Sequence, residues 1–212
     1  MSGIPGIPGP EGVPSREFQA AYDSGAPVWC IERAQPAVID ILERGWLLRG
    51  PILDAGCGTG ENLRVIADQR PGVDLVGADL VSKATTRASE HLRDAGVEDR
   101  VRIVTCDLRV EVPDGPFESI LDAGVLHVFS DGDRAAYLQG LHGVLVTGGE
   151  LVVIVFSDAE SSPGGPRRFT REELLECLER SGFTVTELES CRYQTIRHGG
   201  GARAWLVRAI RN

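Results

Sequence analysis

Residues 51–60 have the sequence PILDAGCGTG, a short apolar run followed by a turn that contains three glycines. Glycine at positions 56, 58 and 60 permits positive φ angles and lets a ligand approach bare backbone amides. The following segment 61–67, ENLRVIA, has helical periodicity. Together these features predict a strand, a ligand-binding turn and a helix, as in nucleotide-binding folds.

The spacing of these glycines is more informative than their number. With Asp54 they form the pattern D-x-G-x-G-x-G, whereas the dinucleotide fingerprint is G-x-G-x-x-G, so the third glycine comes one residue early. The pattern resembles the first motif of class I S-adenosylmethionine-dependent methyltransferases. A glycine-rich turn alone leaves an NAD-dependent oxidoreductase open as an alternative.

Two further apolar runs end in acidic residues that would lie at the same edge of a parallel sheet. The run 73–79 ends in Asp79, about 20 residues past the glycines, where a neighbouring strand offers an acceptor to ribose hydroxyls. The run 101–108 ends in Cys-Asp-Leu. The resemblance implies that Asp107 lies beside the adenine amino group, with Leu80 and Leu108 flanking the ring; a turn-initiating aspartate is the alternative.

The cofactor implied by the resemblance is S-adenosyl-L-methionine, with S-adenosyl-L-homocysteine as the product. The residues predicted to bind it are Trp29, Asp54, Gly56, Cys57, Gly58, Gly60, Asp79, Leu80, Cys106, Asp107, Leu108 and Asp122.

The segment 117–129, FESILDAGVLHVF, is predicted as a fourth strand whose end, from Asp122 to Phe129, faces the transferable methyl group. His127 is the candidate general base toward a hydroxyl or amine, because the unperturbed pKa of histidine lies near working pH. A histidine that is bonded to the backbone and only shapes the pocket is the competing interpretation.

The first residues differ in character from the rest. Glycine recurs at every third position over 3–12, and we predict a flexible, partly polyproline-like tail over 1–14. A single domain is expected over 15–212, with lid helices over 15–48.

The segment 27–36, PVWCIERAQP, is similar to the P-W-D-I-G-x-x-Q-P segment of a methyltransferase subgroup. That subgroup includes bacterial thiol methyltransferase-like and thiopurine methyltransferase-like proteins. Cys30 stands where the pattern has aspartate, and Glu32 where it has glycine. Trp29 is expected either to attract the sulfonium through its aromatic face or to fill space between lid and sheet.

The polar segment after the apolar run 151–156 is rich in proline and glycine and is predicted to form an active-site loop over 157–169. Arg167 and Arg168 would hold an anionic acceptor or lower the pKa of a thiol. The alternative is a solvated loop that faces nearby acids. The residues predicted to contact the acceptor are Tyr22, Trp29, His127, Phe129, Arg167 and Arg168.

The last two apolar runs, 184–191 and 202–210, are separated by the glycines at 199–201, which predicts an antiparallel pair. The resemblance implies that the final strand is reversed and inserted beside the fifth. We therefore predict an α/β fold: a Rossmann-like, doubly wound sheet of about seven strands, mostly parallel with an antiparallel C-terminal strand, and helices on both faces.

Composition narrows the function further. The chain of 212 residues has a net charge of −9, which argues against nucleic acid as a partner. The five cysteines lack C-x-x-C spacing, and we predict no metal site. No signal peptide and no apolar run of the roughly 20 residues that a spanning helix needs is recognised, so we expect a cytoplasmic monomer or homodimer without a membrane partner.

These observations predict direct, in-line methyl transfer to a small molecule. The acceptor would be a thiol, a hydroxyl or an amine, including natural-product intermediates. Because fold does not fix chemistry, an S-adenosylmethionine-binding protein that catalyses a non-methylating reaction stays an alternative.

Overall fold

Seven strands form one sheet in the computed structural model, which describes residues 12–25 and 27–212. The strands are β1 (Ile52–Ala55), β2 (Leu75–Asp79), β3 (Val101–Thr105), β4 (Phe117–Ala123), β5 (Leu145–Phe156), β6 (Phe183–Tyr193) and β7 (Ala202–Arg211). The helices are α1 (Ser15–Asp23), α2 (Pro36–Glu43), α3 (Glu61–Gln69), α4 (Ser82–Asp94), α5 (Asp131–Val144) and α6 (Arg171–Arg180), with short 3₁₀ turns at Glu98–Arg100 and Leu126–Val128. Most of the tail predicted for 1–14 lies outside the described residues.

The strand order is β3-β2-β1-β4-β5-β7-β6. Strands β1 to β5 are parallel, whereas β7 runs antiparallel between β5 and β6. The predicted sheet, including the insertion of the reversed final strand beside the fifth, is confirmed. None of the helices in 12–25 and 27–212 combines the length and hydropathy that crossing a membrane requires.

Alternating side chains of the central strands pack into two separate apolar clusters. Ile52 and Leu121 belong to the cluster that includes residues of α2 and α3. Leu53 and Ile120, their neighbours in sequence, belong to the cluster that includes residues of α5 and α6. Because successive strand residues point to opposite faces, this division places helices on both sides of the sheet, as predicted.

The prediction for the fourth strand was too long. Strand β4 ends at Ala123, and residues 126–128 form a 3₁₀ turn. The strand ends there because Gly124 has a φ of +101° and the Asp122 carboxylate accepts the N–H groups of Gly124, Val125 and Leu126. The carboxyl ends of β1 to β5 meet at one edge of the sheet, where ligands bind in open parallel sheets.

Candidate functional site

The glycine loop joins β1 to α3 at this edge. Gly56, Gly58 and Gly60 have φ angles of +73°, +55° and +87°, a region in which other residues are strained. A Cβ atom at Gly58 would lie 3.3 Å from the Tyr22 hydroxyl. A Cβ atom at Gly56 would overlap Val125, in the turn after β4, at 2.1 Å. The loop therefore presents bare backbone in a narrow space between α1 and the β4 turn.

Asp79, at the end of β2, braces the loop. Its Oδ2 accepts the Gly58 N–H at 3.0 Å, and its Oδ1 accepts the Val81 N–H at 2.9 Å. Burial raises the pKa of the Asp79 carboxyl, and the backbone donors partly oppose that shift. Each carboxylate oxygen keeps a further lone pair, so Asp79 has the acceptor capacity that its predicted contact with hydroxyl groups requires.

Asp54, at the end of β1, accepts no hydrogen bond from any of the described residues. It is 1% exposed, and neither oxygen has a hydrogen bond among residues 12–25 and 27–212. Burial, together with the negative charge of Asp122, raises the pKa of Asp54 well above its ordinary value. A buried carboxyl group without a donor is costly, and a positively charged donor from a ligand would satisfy it.

Helix α1 and the segment after it cover the glycine loop. The Tyr22 hydroxyl accepts the Trp29 Nε1–H at 3.4 Å and lies 3.8 Å from Cys30 Sγ. Phe18, Trp29, Cys30 and Leu80 pack around the buried Tyr22. Helix α1 and this segment thus bring Tyr22 and Trp29 together with Leu80 beside Gly58; a role as a lid stays a prediction.

Asp107, just after β3, forms an ion pair with Arg109 that the sequence did not suggest. The Asp107 carboxylate accepts Arg109 Nε–H at 2.9 Å and Nη2–H at 2.5 Å, which holds the pKa of Asp107 below its usual range. Arg109 also donates to Ser15 Oγ in α1. Cys106 donates its N–H to the Asp79 carbonyl, and Leu108 is buried in the apolar core. The adenine contacts of Asp107 and Leu108 stay predictions.

Asp122 does not face the predicted ligand space with a free oxygen. Its carboxylate accepts three backbone N–H groups of the β4 turn and, at 2.9 Å, the Tyr137 hydroxyl. It is fully buried, and burial raises its pKa to about 6. These contacts favour a role in shaping the turn that touches Gly56, rather than direct contact with a cofactor.

His127 is likewise buried and hydrogen-bonded to the backbone. It is 4% exposed, and its Nδ1 accepts the Phe156 N–H at 3.1 Å. Burial lowers its pKa to about 3. A general base needs an accessible lone pair, and the only lone pair of this neutral ring is engaged with the backbone. The geometry therefore favours the interpretation in which His127 shapes the pocket.

The two arginines of the 157–169 loop have different surroundings. Arg167 forms ion pairs with Asp131 at 2.7 Å and Glu173 at 3.5 Å. Arg168 donates to the carbonyls of Ser162 and Gly164 and pairs with no carboxylate in the part of the chain that the structure describes. Its Nε is buried without an acceptor there. Phe129 packs edge-on against Tyr137 at 5.0 Å, and its contact with the acceptor stays a prediction.

Sequence reasoning missed an aromatic cluster next to the turn after β4. Phe156 packs edge-on against His127, Tyr193 and His198, with ring centroids 5.1, 5.8 and 5.7 Å apart; we call these four residues the Phe156 cluster. The Tyr193 hydroxyl donates to the Ala123 carbonyl at 2.9 Å. The available signal was the position of Tyr193 just beyond a predicted strand.

Gln35 was also missed, although the similarity to the methyltransferase subgroup included it. Its amide accepts the Gln194 N–H at 2.8 Å and donates to the Gln194 carbonyl at 3.0 Å. The Gln35 N–H donates to Asn62 Oδ1, in the first turn of α3. This buried residue links the segment before α2 to both α3 and the β6–β7 connection. Over 12–25 and 27–212, no cluster of three or more His, Cys, Asp or Glu is placed to hold a metal ion.

Comparisons with known proteins agree with this geometry. The family described as "Methyltransferase domain" matches residues 52–149. The chain is 27% identical over 171 residues to probable thiol methyltransferase 2 of Arabidopsis thaliana, covering 81% of this chain and 75% of that protein. It is 28% identical over 198 residues to the 2-heptyl-1-hydroxyquinolin-4(1H)-one methyltransferase of Mycobacteroides abscessus, covering 88% and 86% of the two chains.

A solved structure shows the same fold. The Burkholderia thailandensis 1,6-didemethyltoxoflavin-N1-methyltransferase, with 1,6-didemethyltoxoflavin and S-adenosylhomocysteine bound, matches with a TM-score of 0.78 and 26% identity, covering 99% of this chain and 95% of that one. These relatives favour the methyltransferase prediction over the oxidoreductase alternative. The unpartnered Asp54, the bare glycine loop and the acceptor capacity of Asp79 fit S-adenosylmethionine, which is the cofactor of this enzyme. The chain has the fold of class I methyltransferases, and it is an S-adenosylmethionine-dependent methyltransferase.

Proposed function

We propose that this enzyme methylates an aromatic small molecule whose acceptor atom is ionised near neutral pH, a thiolate or an acidic hydroxyl. The observation that carries the proposal is Arg168, a half-buried guanidinium without a carboxylate partner among the described residues, with a buried Nε–H that has no acceptor. A cation in these surroundings favours an anionic ligand. Arg167 lacks this property because two acids already neutralise it.

The aromatic character of the acceptor is inferred from the Phe156 cluster. Tyr193 lies against the turn after β4, and that turn touches Gly56 of the glycine loop. The cluster thus forms a largely buried aromatic layer beside the turn that borders the glycine loop. The names of the two relatives fit an acidic acceptor, since both thiols and 1-hydroxyquinolones carry an acidic group, and the quinolone also fits an aromatic one.

An ionised acceptor removes the need for a strong base. When bound, S-adenosylmethionine supplies an electrophilic methyl group. The residues of this chain would align the nucleophile and exclude water, and such positioning contributes roughly 7–11 kcal/mol in the best intramolecular systems. His127 is not available to deprotonate a weakly acidic hydroxyl or amine, so those acceptors are disfavoured. We infer from the net charge of −9 that the acceptor is not a nucleic acid.

Arg168→Leu tests the acceptor class. Thiophenol is mostly a thiolate at pH 7.5, whereas benzyl mercaptan is mostly neutral. We expect kcat/KM for thiophenol to fall roughly 10- to 100-fold, as for loss of a charge-assisted hydrogen bond, with a much smaller change for benzyl mercaptan. Methylated products are measured by mass spectrometry.

Arg167→Leu is the matched control, because it removes the same charge from the same loop. It breaks the ion pairs to Asp131 and Glu173, so it should lower the melting temperature while the preference for thiophenol is retained. Equal losses for the two acceptors in Arg168→Leu would contradict the proposal.

Asp54→Asn tests the contact to the cofactor. It keeps the shape of the side chain but removes its ability to carry negative charge, and we expect the affinity for S-adenosylmethionine to fall roughly 10- to 100-fold. Burial raises the pKa of Asp54 well above its ordinary value, and pairing with a cation should lower that pKa, so cofactor binding should be accompanied by proton release. Calorimetry in buffers of different ionisation enthalpy measures the release, which should disappear in Asp54→Asn. Unchanged affinity and proton release would rule out this contact.

A further inference from the structure

A chain of hydrogen bonds through His198 joins two loops at the edge of the site. Thr195 Oγ1 lies 2.6 Å from His198 Nδ1, and Ser162 Oγ lies 2.7 Å from His198 Nε2. Ser162 belongs to the 157–169 loop, whereas Thr195 and His198 belong to the connection between β6 and β7. The His198 ring is half-buried against Phe156. Its two ring nitrogens therefore bridge segments that lie 36 residues apart in the sequence.

The hydrogen bonds of Thr195 favour one tautomer of this histidine. Thr195 Oγ1 accepts the backbone N–H groups of Arg197 at 3.2 Å and of His198 at 3.1 Å, which uses both of its lone pairs. Its remaining proton must then be donated to His198 Nδ1. A ring whose Nδ1 accepts carries its proton on Nε2, so Nε2–H donates to Ser162 Oγ.

The direction of this chain is supported by what lies beyond Ser162. Glu160 accepts the N–H groups of Ser162 and Arg203, both at 2.7 Å. These bonds and the Ser162 hydroxyl keep the pKa of Glu160 at about 2, so it is a carboxylate at neutral pH. The donors of Thr195, His198 and Ser162 thus all point toward the Glu160 carboxylate. In such an arrangement successive hydrogen bonds strengthen each other.

Ser162 is also the residue that holds Arg168. Arg168 Nη2 donates to the Ser162 carbonyl and, at 3.0 Å, to the Gly164 carbonyl. A shift of Ser162 would therefore shift the guanidinium. His198 and Arg168 share no hydrogen bond in the part of the chain that the structure describes, so the influence of His198 passes through Ser162.

We propose that His198 is a positioning residue for acceptor recognition: its Nε2–H fixes Ser162, and the Ser162 carbonyl in turn fixes the Arg168 guanidinium against an anionic, aromatic acceptor. This inference rests on the proposed function. It predicts that His198 sets the preference for ionised acceptors without contributing to cofactor binding.

Two substitutions separate the hydrogen bond from the ring. His198→Phe keeps the aromatic contact with Phe156 and deletes the donor, whereas His198→Gln keeps a donor near the Nε2 position and deletes the ring. We expect the preference for thiophenol over benzyl mercaptan to fall roughly 10-fold in His198→Phe, as for loss of one buried hydrogen bond, and to be largely restored in His198→Gln. Affinity for S-adenosylhomocysteine, measured by calorimetry, should match that of the wild type in both.

A double-mutant cycle with Arg168→Leu tests whether His198 acts through Arg168. If it does, His198→Phe should change the preference in the wild-type background and have no further effect in the Arg168→Leu background. An equal effect in both backgrounds would overturn the inference while leaving the proposed function intact. If Arg168→Leu itself leaves the preference unchanged, the proposed function fails, and this inference fails with it.

Imidazole ¹⁵N spectra of the protein without cofactor give a readout that does not depend on activity. The His198 signals, assigned by their absence in His198→Gln, should show a protonated Nε2 and an unprotonated Nδ1. The opposite tautomer would mean that Ser162 donates to the ring, and the positioning chain would be excluded.

Discussion

Replacing Gly58 with alanine is expected to abolish detectable binding of S-adenosylmethionine while the protein still folds. The new Cβ would point into the space between the glycine loop and Tyr22, 3.3 Å from the hydroxyl of that residue. That space is where a ligand must approach the backbone amides. We expect affinity to fall on the order of 100-fold or more, because a methyl group in such a tight contact blocks several interactions at once.

Gly72→Ala is the matched control for this variant. Gly72 also has a positive φ, +84°, but a Cβ there meets nothing within 4 Å. Both variants should lose about 1–2 kcal/mol of stability from the strained backbone, and thermal melts should show similar shifts for the two. Calorimetric titration with S-adenosylmethionine then isolates the effect of the filled space. Wild-type affinity in Gly58→Ala would show that the cofactor does not lie on this loop.

Replacing Asp122 with alanine is expected to give a large loss of stability. The variant leaves three N–H groups of the β4 turn and the Tyr137 hydroxyl without their acceptor in a fully buried place. Each unsatisfied buried group costs about 1–3 kcal/mol, partly offset because a buried carboxyl is also removed, so we expect the free energy of unfolding to fall by roughly 3–5 kcal/mol. Urea unfolding measures this change.

Asp122→Asn separates the shape of the carboxyl from its ionisation. In the folded protein the pKa of Asp122 is about 6, above its ordinary value of 3.8, so the folded state retains a proton that the unfolded state has released. Its contribution to stability is therefore present below about pH 4 and is lost as pH rises to about 6, by roughly 3 kcal/mol in total. Asparagine cannot titrate. Between pH 4 and pH 7 the free energy of unfolding of the wild type should therefore fall relative to that of Asp122→Asn. A constant difference between the two proteins would contradict the raised pKa.

The residues whose position in the sheet could be predicted from the sequence are those that depend only on their own strand. The glycines at 56, 58 and 60 follow an apolar run directly, and Asp79 ends the next one, so hydrophobic pattern and spacing sufficed to place them at one edge of the sheet. The reversal of β7 was predicted from the family resemblance and the glycine-rich connection before it.

The other roles depend on contacts between distant segments, which local patterns do not contain. Arg167 and Arg168 are adjacent and alike in sequence, and only the positions of Asp131 and Glu173 separate them. Histidine is a residue type that commonly acts as a general base, but the Phe156 N–H occupies the lone pair of His127. His198 drew no attention because Ser162 and Thr195 approach it only when the loop after β5 meets the connection between β6 and β7.

The position of β7 between β5 and β6 affects how the enzyme is made. During synthesis on the ribosome, the strands that carry the glycine loop, Asp79 and Asp107 are complete long before residues 202–211 emerge, whereas β6 can join the sheet only through β7. Tyr193 at the end of β6, and Thr195 and His198 in the connection that follows it, therefore cannot take their places until β7 has been translated. In the nascent chain the residues proposed to bind the cofactor can come together first, and those proposed to recognise the acceptor are assembled after them.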